Sequence, residues 1–424
     1  MIEENMRFIA DFHIHSKYSR ATSRDMDLDS LDKWAKIKGI KVLGTGDFTH
    51  PEWFKNLKTK LEPAEKGLFW LKDGNGKKDS ETRFILTAEI SCVYSKNGRV
   101  RKVHIIVFAP SFEAADKINA HLGWIGNLKS DGRPILGLDA KGLAKIVLES
   151  SPDCVIVPAH AWTPWFGIFG SKSGFDSIEE CFEDYSKYIF SIETGLSSDP
   201  LMNWRLSSLD NIALISNSDA HSPSKIGREA NVFDTELNYP AIVDAIKSKN
   251  PQKFLYTIEF FPEEGKYHYD GHRDCQISFA PEESKKYNNI CPNCGKPLTI
   301  GVLNRVEKLA DREAGAKPEN VIPFKSVIPL GEIIADALGV TPQTKQVQAE
   351  YDSLIKIFDN EFYVLLDAPK SKLESVTLPK VAEGILKVRE GNVRIEAGYD
   401  GVFGKISIFG KTENKTPVRQ KTLF

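Results

Sequence analysis

The stretch Asp11-Phe12-His13-Ile14-His15-Ser16 closes the first strand-like run of the chain. On a β-strand, residues two apart point to the same side, so His13 and His15 can reach one metal ion. Neutral imidazole is the commonest side-chain metal ligand near neutral pH. A single His-x-His pair is a moderate signal, and it gains weight from the similar strand ends that follow it along the chain.

A strand-then-helix rhythm runs from residue 7 to about residue 250. The candidate strands are residues 7–15, 40–45, 84–92, 103–108, 154–159, 188–192 and 212–216. The helix-like stretches between them include residues 28–38, 112–122, 138–149 and 239–248. Strands that alternate with helices predict βα units and a mostly parallel sheet or barrel.

One connection breaks this rhythm. Ser95-Lys96-Asn97-Gly98-Arg99 is a hairpin signal between the third and fourth candidate strands, which makes the fourth strand antiparallel. A turn centred on Asn97-Gly98 places residue 104 opposite residue 91. Glu89 and His104 then become diagonal neighbours on one face and can share a metal site.

Metal-ligating residue types recur at the strand ends, and six of the nine histidines fall there. The candidate ligands are His13, His15, Asp47, His50, Glu89, His104, His160, Asp219 and His221. In α/β barrels the site lies on the rim where the strands finish. Mixed His and carboxylate ligation suits zinc, manganese or iron. Paired metals suit phosphoryl transfer, and Glu89 is the candidate bridge between them.

Composition limits the class of protein. Over 424 residues, 56 Lys and Arg balance 58 Asp and Glu, so a globally basic nucleic-acid binder is not expected, although a local basic groove is allowed. Residues 1–5 are polar and acidic, unlike a secretory leader, and no apolar run approaches a membrane span. Three of the six cysteines (Cys92, Cys154, Cys181) lie in apolar surroundings. We therefore expect a soluble, cytoplasmic enzyme or binding protein.

The other three cysteines indicate a second metal site. Cys291-Pro292-Asn293-Cys294 forms a Cys-x-x-Cys pair, and His272-Arg273-Asp274-Cys275 supplies the partner His-x-x-Cys pair. Four Cys and His ligands predict one closed, structural zinc site without chemistry of its own. His268 is the alternative fourth ligand to His272.

The ordered motifs of residues 7–250 resemble the PHP (polymerase and histidinol phosphatase) family. The shared pattern is a His-x-His opening, a Thr-Asp-His-like second motif, a Glu, two isolated His and a closing Asp-x-His. The resemblance implies a distorted seven-stranded βα barrel, TIM-like, with a phosphoesterase site of two or three divalent metals. Zinc is the expected metal, with manganese or magnesium as alternatives. By motif, the implied ligands are His13, His15, Glu89, His104, His160, Asp219 and His221.

The second motif departs from the family pattern. Asp47 matches the family aspartate, Phe48 stands where a histidine is expected, and His50 is the candidate substitute. The extra histidine that some family members carry after the opening pair is absent from residues 16–25, which leaves the third metal open. Glu193 lies at a strand end, where it can act as a ligand, a base or a carboxylate behind the ligands.

Two further sets of residues are candidates for substrate contact. Lys225 and Arg228 follow the closing motif, where they can hold a phosphate or form surface salt bridges. The Gly-punctuated aromatic loop after His160 is predicted to form a base pocket or wedge, with an ordinary hydrophobic lid as the alternative. Its candidate residues are Trp162, Trp165, Phe166, Ile168, Phe169, Gly170 and Ser171.

The barrel, the Cys/His module and the helical region that follows together resemble archaeal DNA repair endonucleases of the PHP family, most closely over residues 291–312. That resemblance implies cleavage, by metal-activated water, 5′ to a deaminated base (hypoxanthine, uracil, xanthine) or an abasic site. Reading a damaged base requires flipping it out of the stack. The alternatives are a small-molecule phosphomonoesterase of the histidinol-phosphatase type and a non-catalytic PHP module that binds DNA.

The predicted boundaries follow this organisation. Residues 1–255 form the PHP barrel, 256–300 the zinc module, 301–410 a mainly helical DNA-contacting region, and 411–424 a flexible tail. The tail ends Gln420-Lys421-Thr422-Leu423-Phe424, in which Gln420, Leu423 and Phe424 resemble a motif that binds the sliding clamp (PCNA). The alternative is a plain frayed terminus.

Overall fold

The structure is a computed structural model that describes residues 6–72 and 81–410. The strands are β1 Met6–Asp11, β2 Val42–Gly44, β3 Leu61–Pro63, β4 Phe69–Leu71, β5 Arg83–Lys96, β6 Arg99–Ala109, β7 Ile135–Leu136, β8 Val155–Pro158, β9 Ser191–Glu193, β10 Ala213–Ile215, β11 Ala230–Thr235, β12 Phe254–Glu259, β13 Asp270–His272, β14 Ile277–Phe279, β15 Phe324–Ser326, β16 Arg394–Glu396 and β17 Lys405–Ser407. The α-helices are α1 Leu28–Lys38, α2 Pro51–Lys60, α3 Phe112–Ile125, α4 Ala140–Ser150, α5 Ile178–Phe182, α6 Pro200–Asn203, α7 Tyr239–Ser248, α8 Pro281–Lys286, α9 Val302–Leu309, α10 Leu330–Leu338, α11 Lys345–Phe358, α12 Lys370–Val376 and α13 Pro379–Arg389.

An eleven-stranded mixed sheet carries the first half of the chain. At its centre, β1, β2 and β5 run parallel, while β6 pairs with β5 and then β8 in antiparallel ladders. On the other side of β1, the sheet continues through β11 and β12, which also pair in antiparallel fashion. The mixed α/β fold is confirmed, and the carboxyl ends of β1, β2 and β8 lead into the predicted ligands.

A closed barrel is not found in the described ranges, so the expected distorted seven-stranded barrel is not confirmed in its strand count. β9 and β10 form their own parallel pair outside the main sheet. On either side of this pair, a few hydrogen bonds and one isolated bridge, between Ile14 and Ala220, take the place of a ladder. Ala161 N–H donates to the Glu193 carbonyl at 2.9 Å, and Phe12 N–H donates to Oδ1 of Asn217 at 2.9 Å. Loop backbone and buried side chains therefore join this pair to the main sheet.

The long hairpin of β5 and β6 has the predicted register. Asn97 and Gly98 both have positive φ, 54° and 73°, which is the conformation that a two-residue type I′ turn requires. Ser91 lies opposite His104, as the turn position predicted. The turn therefore brings Glu89 and His104 to one face of the hairpin.

Alternation along β1 divides its side chains between two cores. Phe8, Ala10 and Phe12 pack with residues of β2, β6 and β11 in one cluster, whereas Ile9 joins the larger cluster under α1 to α5. This is the period of two that a strand buried on both faces shows. A rigid β1 therefore presents the His-x-His pair at its end.

The C-terminal region is joined to the sheet by β15, which pairs parallel with β12. Helices α10, α11 and α13 bury their apolar faces in a separate cluster with residues such as Ile333, Leu354 and Ile385. The predicted helical pattern of residues 301–358 is interrupted between α9 and α10, where β15 lies. The region is mainly helical, and its last described elements, β16 and β17, form a short hairpin.

Other sequence expectations concern membranes, thiols and the tail. Within the described ranges, no helix combines the length and apolarity needed to cross a bilayer. Cys92, Cys154 and Cys181 are buried free thiols. The predicted clamp motif at Gln420, Leu423 and Phe424 lies outside the described residues.

Candidate metal centre

Two overlapping groups of metal-ligating side chains meet where the strands end. His13, His15, Glu89 and Asp219 form one group, and Glu89, His104 and His160 form the other. Within each group the ligand atoms all lie within 4.8 Å of one another. Glu89 belongs to both groups, which is the place predicted for a bridging carboxylate.

The two oxygens of Glu89 divide between the groups. Oε1 lies 2.7 Å from Nδ1 of His104 and 3.0 Å from Nε2 of His160. Oε2 lies 3.2 Å from Nε2 of His15 and 3.5 Å from Nε2 of His13. A carboxylate with this division of contacts can serve two cations at once.

Unsatisfied atoms show that the first group suits a cation. Nε2 of His13, Nε2 of His15 and Oδ1 of Asp219 are buried and have no hydrogen-bond partner among the described residues. Yet Oδ1 of Asp219 lies only 3.0 Å from Nε2 of His15 and 3.6 Å from Nε2 of His13. Buried polar atoms are rarely left unpaired, and these converge on one point, as ligands of a divalent metal would.

Carboxylates behind the ligands fix the orientation of both imidazoles. Nδ1 of His13 lies 3.0 Å from Oε1 of Glu193, and Nδ1 of His15 lies 3.0 Å from Oδ1 of Asp47. Each Nδ1 can therefore donate its proton to a carboxylate, which leaves Nε2 as the ring nitrogen that faces the centre and that a cation would bind. Glu193 also accepts from His160 N–H at 2.8 Å and from the Asn217 amide at 2.9 Å, so both of its oxygens are engaged.

Backbone conformation at three strand ends is unusual. Asp47, His160 and Asp219 follow β2, β8 and β10, and their φ angles are 49°, 30° and 46°. Non-glycine residues in this region store strain, which is tolerated where it positions functional groups. Gly195 must come close to this turn, because a Cβ there would lie 2.6 Å from Cβ of His160.

The pKa values reflect a crowded charge balance. Burial lowers the pKa of His13 and His15, but the surrounding carboxylates outweigh it and raise both pKa values well above the usual range. Burial would raise the pKa of Glu89, yet His104, Arg133 and His13 hold it well below normal. For His104 burial prevails and lowers the pKa to about 4, so this imidazole is neutral and able to ligate.

Three predicted ligands lie outside the two groups. Asp47 stands behind His15, where it also accepts from the Ser16 hydroxyl at 2.7 Å. His50 is stacked on Tyr18, with ring centroids 4.4 Å apart, and is not brought to the cluster. His221 has its ring centroid 4.6 Å from that of His15, and its Nδ1 lies 2.8 Å from the Asp219 carbonyl.

Lys225 and Arg228, the predicted phosphate contacts, interact with side chains outside the two metal groups. Nζ of Lys225 lies 3.3 Å from Oε1 of Glu332 on α10. The guanidinium of Arg228 lies 5.3 Å from the ring centroid of Phe260. Lys225 thus forms the surface salt bridge considered as its alternative role.

An open cavity of about 530 Å³ leads to the centre. Its walls include His104, His160 and Asp219 from the metal groups, together with two arginines, Arg20 and Arg133. The sequence analysis missed both arginines. The only signal for the second was the turn-like Asp131-Gly132-Arg133-Pro134, which indicates a loop but not its direction.

The aromatic loop only partly matches the predicted base pocket. Trp165 is 44% exposed and lines the cavity with Phe166, whose ring centroid lies 4.3 Å from that of His104. Trp162, Ile168 and Phe169 instead belong to the main core, and Trp162 donates its indole N–H to Asn203. Gly170 is buried and Ser171 is exposed, and neither lines the cavity. The structure therefore restricts the rim of the cavity to Trp165 and Phe166 among the seven candidates.

The Cys/His module brings its four predicted ligands together. His272, Cys275, Cys291 and Cys294 offer ligand atoms within 4.8 Å of one another. His268, the alternative ligand, lies outside this group and is buried. Two Cys-containing turns and one histidine in this arrangement suit a tetrahedral structural ion.

Known proteins and solved structures match this chain over nearly its whole length. Two family models match parts of it: one described as PHP-associated, over residues 204–251, and one described as the MJ0043 C-terminal domain, over residues 329–392. The lesion-specific endonuclease PfuEndoQ of Pyrococcus furiosus superposes with a TM-score of 0.84 at 32% identity, covering 95% of each chain. Endonuclease Q in complex with a 27-mer duplex that has an abasic lesion at the active site gives a TM-score of 0.82 at 32% identity, covering 95% of this chain and 97% of that chain.

Two curated relatives add to this picture. The uncharacterized protein YqxK of Bacillus subtilis is 30% identical over 94% of this chain and 99% of its own length. The uncharacterized protein MJ0043 of Methanocaldococcus jannaschii is 37% identical over 58% of this chain, and the match spans only 31% of that longer protein.

The fold and the paired His and carboxylate groups define a metal-dependent endonuclease of the PHP class. Within that class the chain belongs to the endonuclease Q family.

Proposed function

We propose that the protein cuts one strand of damaged DNA at the phosphodiester 5′ to a deaminated base (hypoxanthine, uracil, xanthine) or an abasic site. The observation that carries this proposal is the match, over 95% of the chain, to endonuclease Q bound to a duplex with an abasic lesion at its active site. The ligand groups lie at the floor of an open cavity with two arginines and two aromatic side chains in its walls. A phosphodiester, which is anionic, and an unstacked nucleotide fit such a lining.

The chemistry proposed is hydrolysis. A water oxygen attacks the phosphorus, the P–O3′ bond breaks, and the departing oxygen takes a proton, leaving a 3′-hydroxyl and a 5′-phosphate. Divalent cations, when bound by the two ligand groups, would supply positive charge to the phosphate oxygens and would lower the pKa of a water. Glu193 and Asp47 hold His13 and His15 in place for those cations, and Glu193 also accepts hydrogen bonds from His160 N–H and the Asn217 amide.

We propose two cations in the strand-end centre, one for each ligand group, and one structural zinc in the Cys/His module. Zinc is the proposed metal of the centre because imidazole and carboxylate ligation suits it, with manganese or magnesium as alternatives. His221, whose ring lies beside that of His15, stays a candidate ligand for a third site. The thiolate-rich set of His272, Cys275, Cys291 and Cys294 selects zinc over magnesium or calcium.

Lesion selection is proposed to depend on flipping the damaged nucleotide into the cavity. Flipping costs least where base pairing is already weak, which favours deaminated and abasic positions over intact pairs. Trp165 and Phe166 are available at the rim to contact the flipped nucleotide or the neighbouring bases. Trp165 is held there by an edge contact with Tyr267, at 6.0 Å between ring centroids.

We further propose that Gln420, Leu423 and Phe424 bind the sliding clamp. Short apolar motifs on a terminal segment anchor in grooves of folded partners. A chain shortened by residues 419–424 should lose co-elution with PCNA, while its cleavage of short duplexes without the clamp stays unchanged. Equal co-elution of the full and shortened chains would contradict the motif.

The test is cleavage of end-labelled duplexes that contain one deoxyinosine, one uracil, one abasic site or no lesion. Wild type is compared with Asp219→Ala, with and without a chelator. We expect a single cut immediately 5′ of the lesion in wild type, lost in the variant and in chelator. No cut on any duplex, with phosphate release from small phosphomonoesters, would instead support the histidinol-phosphatase-type alternative. Binding without any hydrolysis would support the non-catalytic module.

A further inference from the structure

The cavity wall contains an arginine, Arg133, that is not among the predicted ligands. Arg133 lies in the segment between α3 and β7, and one nitrogen of its guanidinium, Nη1, lies 3.0 Å from Oε2 of Glu89. The same side chain lines the cavity, so it contacts both the shared carboxylate and the open space in front of it. Among the described residues, Glu89 is its only side-chain hydrogen-bond partner, which leaves other N–H donors of the fork available.

The segment that carries Arg133 is fixed from both sides. Gly132 N–H donates to the Tyr18 carbonyl at 3.0 Å, and the Thr49 hydroxyl donates to the Gly132 carbonyl at 3.2 Å. Ser91 N–H donates to the Pro134 carbonyl at 3.0 Å. These bonds hold the arginine backbone to the elements that carry the ligands, so the guanidinium is placed without help from substrate.

A buried carboxylate ties a second arginine to this segment. Oδ1 of Asp131 accepts from the backbone N–H groups of Arg133 and Arg20, each at 3.2 Å. Its Oδ2 lies 3.2 Å from Nε of Arg20, whose side chain is 73% exposed. Asp131 is buried, so it acts as a fixed point that aims Arg20 toward the mouth of the same cavity.

We infer that Arg133 and Arg20 form a phosphate-binding subsite. Arg133 binds a non-bridging oxygen of the scissile phosphodiester, and Arg20 contacts the DNA backbone at the mouth of the cavity. This inference rests on the proposed endonuclease function and assigns a substrate contact within it. Guanidinium groups match phosphate oxygens with paired N–H donors, and such charge-assisted bonds are among the strongest in proteins.

The experiment removes the charge of Arg133 and the charge of the phosphate, first separately and then together. Duplexes with one abasic site carry either the natural phosphate or a neutral methylphosphonate at the position immediately 5′ of the lesion. Binding to wild type, Arg133→Gln and Arg133→Lys is followed by fluorescence anisotropy in chelator, so that no cleavage takes place. Lys145→Gln on α4, a surface lysine, is the matched control. Cleavage of the natural duplex by wild type with metal is measured in parallel.

We expect Arg133→Gln to weaken binding of the natural duplex by about tenfold or more, as loss of a charge-assisted hydrogen bond does. On the methylphosphonate duplex the variant and wild type should agree within about twofold, because the contact is already absent. Arg133→Lys should lie between them, because it keeps the charge and loses the fork.

Equal weakening of both duplexes by Arg133→Gln, or no weakening of either, would overturn the subsite. If wild type still cuts 5′ of the lesion in that case, the endonuclease proposal stands and only the arginine assignment fails. If wild type cuts no lesion duplex at all, the proposed function and the subsite fail together.

Discussion

At the scale of single residues, Glu193 shows how a buried carboxylate serves the centre without entering it. Its oxygens accept from the His13 ring, the His160 backbone and the Asn217 amide. It therefore links the ends of β1, β8 and β10 behind the ligands. Carboxylates in this position set the tautomer and the direction of a ligating imidazole.

Glu193→Gln should weaken metal binding at the centre by about 10- to 100-fold, since the His13 ring loses its carboxylate partner. The measurement is competition for zinc against a chelator of known affinity. Glu113→Gln, which changes an exposed glutamate on α3, should leave the affinity unchanged. Unaltered zinc affinity in Glu193→Gln would show that Glu193 does not orient the ligand.

A second residue-scale feature is the buried acid Glu259, which belongs to neither ligand group. Burial raises its pKa to about 7, although hydrogen bonds from Thr257, Thr194 and Ser216 partly oppose the shift. A folded-state pKa above the unfolded value of 4.5 means that the folded chain holds the extra proton. Its contribution to stability is therefore complete below about pH 4.5 and is lost as the pH rises through about 7.

Glu259→Gln should accordingly gain stability relative to wild type as the pH rises from about 5 to about 8, by an amount on the order of 2 kcal/mol. The measurement is the difference in melting temperature between variant and wild type at the two pH values. Burial and Glu259 both raise the pKa of the nearby Glu229. Glu229→Gln should therefore also gain stability relative to wild type as the pH rises. A difference that does not change with pH would mean that Glu259 stays ionised in the folded chain.

At the scale of elements, the segment between α3 and β7 decides the shape of the cavity wall. Gly132 packs so closely that a Cβ there would overlap Oδ2 of Asp47 and Oγ of Ser19. The segment therefore depends on a glycine for its contact with the carboxylate that orients His15. Gly137, a few residues later, would place a Cβ in open space.

Gly132→Ala should lower kcat/KM on an abasic duplex by about 100-fold, because displacements near 1 Å have that effect on catalysis. Gly137→Ala is the matched control and should retain activity. The measurement is single-turnover cleavage, with thermal melting to confirm that both variants fold. Equal activity of the two variants would mean that this contact does not position the centre.

The Cys/His module is the second element with a direct prediction. Cys291→Ser should reduce bound zinc by one ion per chain and lower the melting temperature, because structural zinc contributes directly to folding. Cys154→Ser changes a buried core thiol and should leave the zinc content unchanged. Elemental analysis of purified protein gives the count, and an unchanged zinc content in Cys291→Ser would contradict a zinc site here.

At the scale of the whole molecule, the strand ends were predictable because they depend on local patterns. A strand-like run predicted β1, and the Asn97-Gly98 turn predicted the register that joins Glu89 to His104. The ligand groups follow from these elements and from the shared direction of parallel strands. The way in which β9 and β10 join the main sheet was not predictable in this way, since it depends on contacts such as the hydrogen bond from Phe12 N–H to Asn217, far apart in the sequence.

Long-range contacts also explain the errors in the aromatic loop and the missed arginine. The loop that contains Trp162 and Phe169 is buried partly because Arg305, on α9, donates to the Phe169 carbonyl at 2.9 Å. No local pattern around Trp162 signals a partner more than a hundred residues away. Arg133 reaches the centre only because its loop is tied to Tyr18 and Thr49, which is likewise a tertiary effect.

The central claim is that this centre cuts DNA at a lesion. The most direct measurement places two duplexes of identical sequence in one reaction, one with an abasic site and one intact, each with its own fluorescent label. Under single-turnover conditions we predict that only the damaged duplex is cut, at the bond 5′ of the lesion, and that Asp219→Ala cuts neither. Equal cutting of both duplexes, or full activity in Asp219→Ala, would contradict the account.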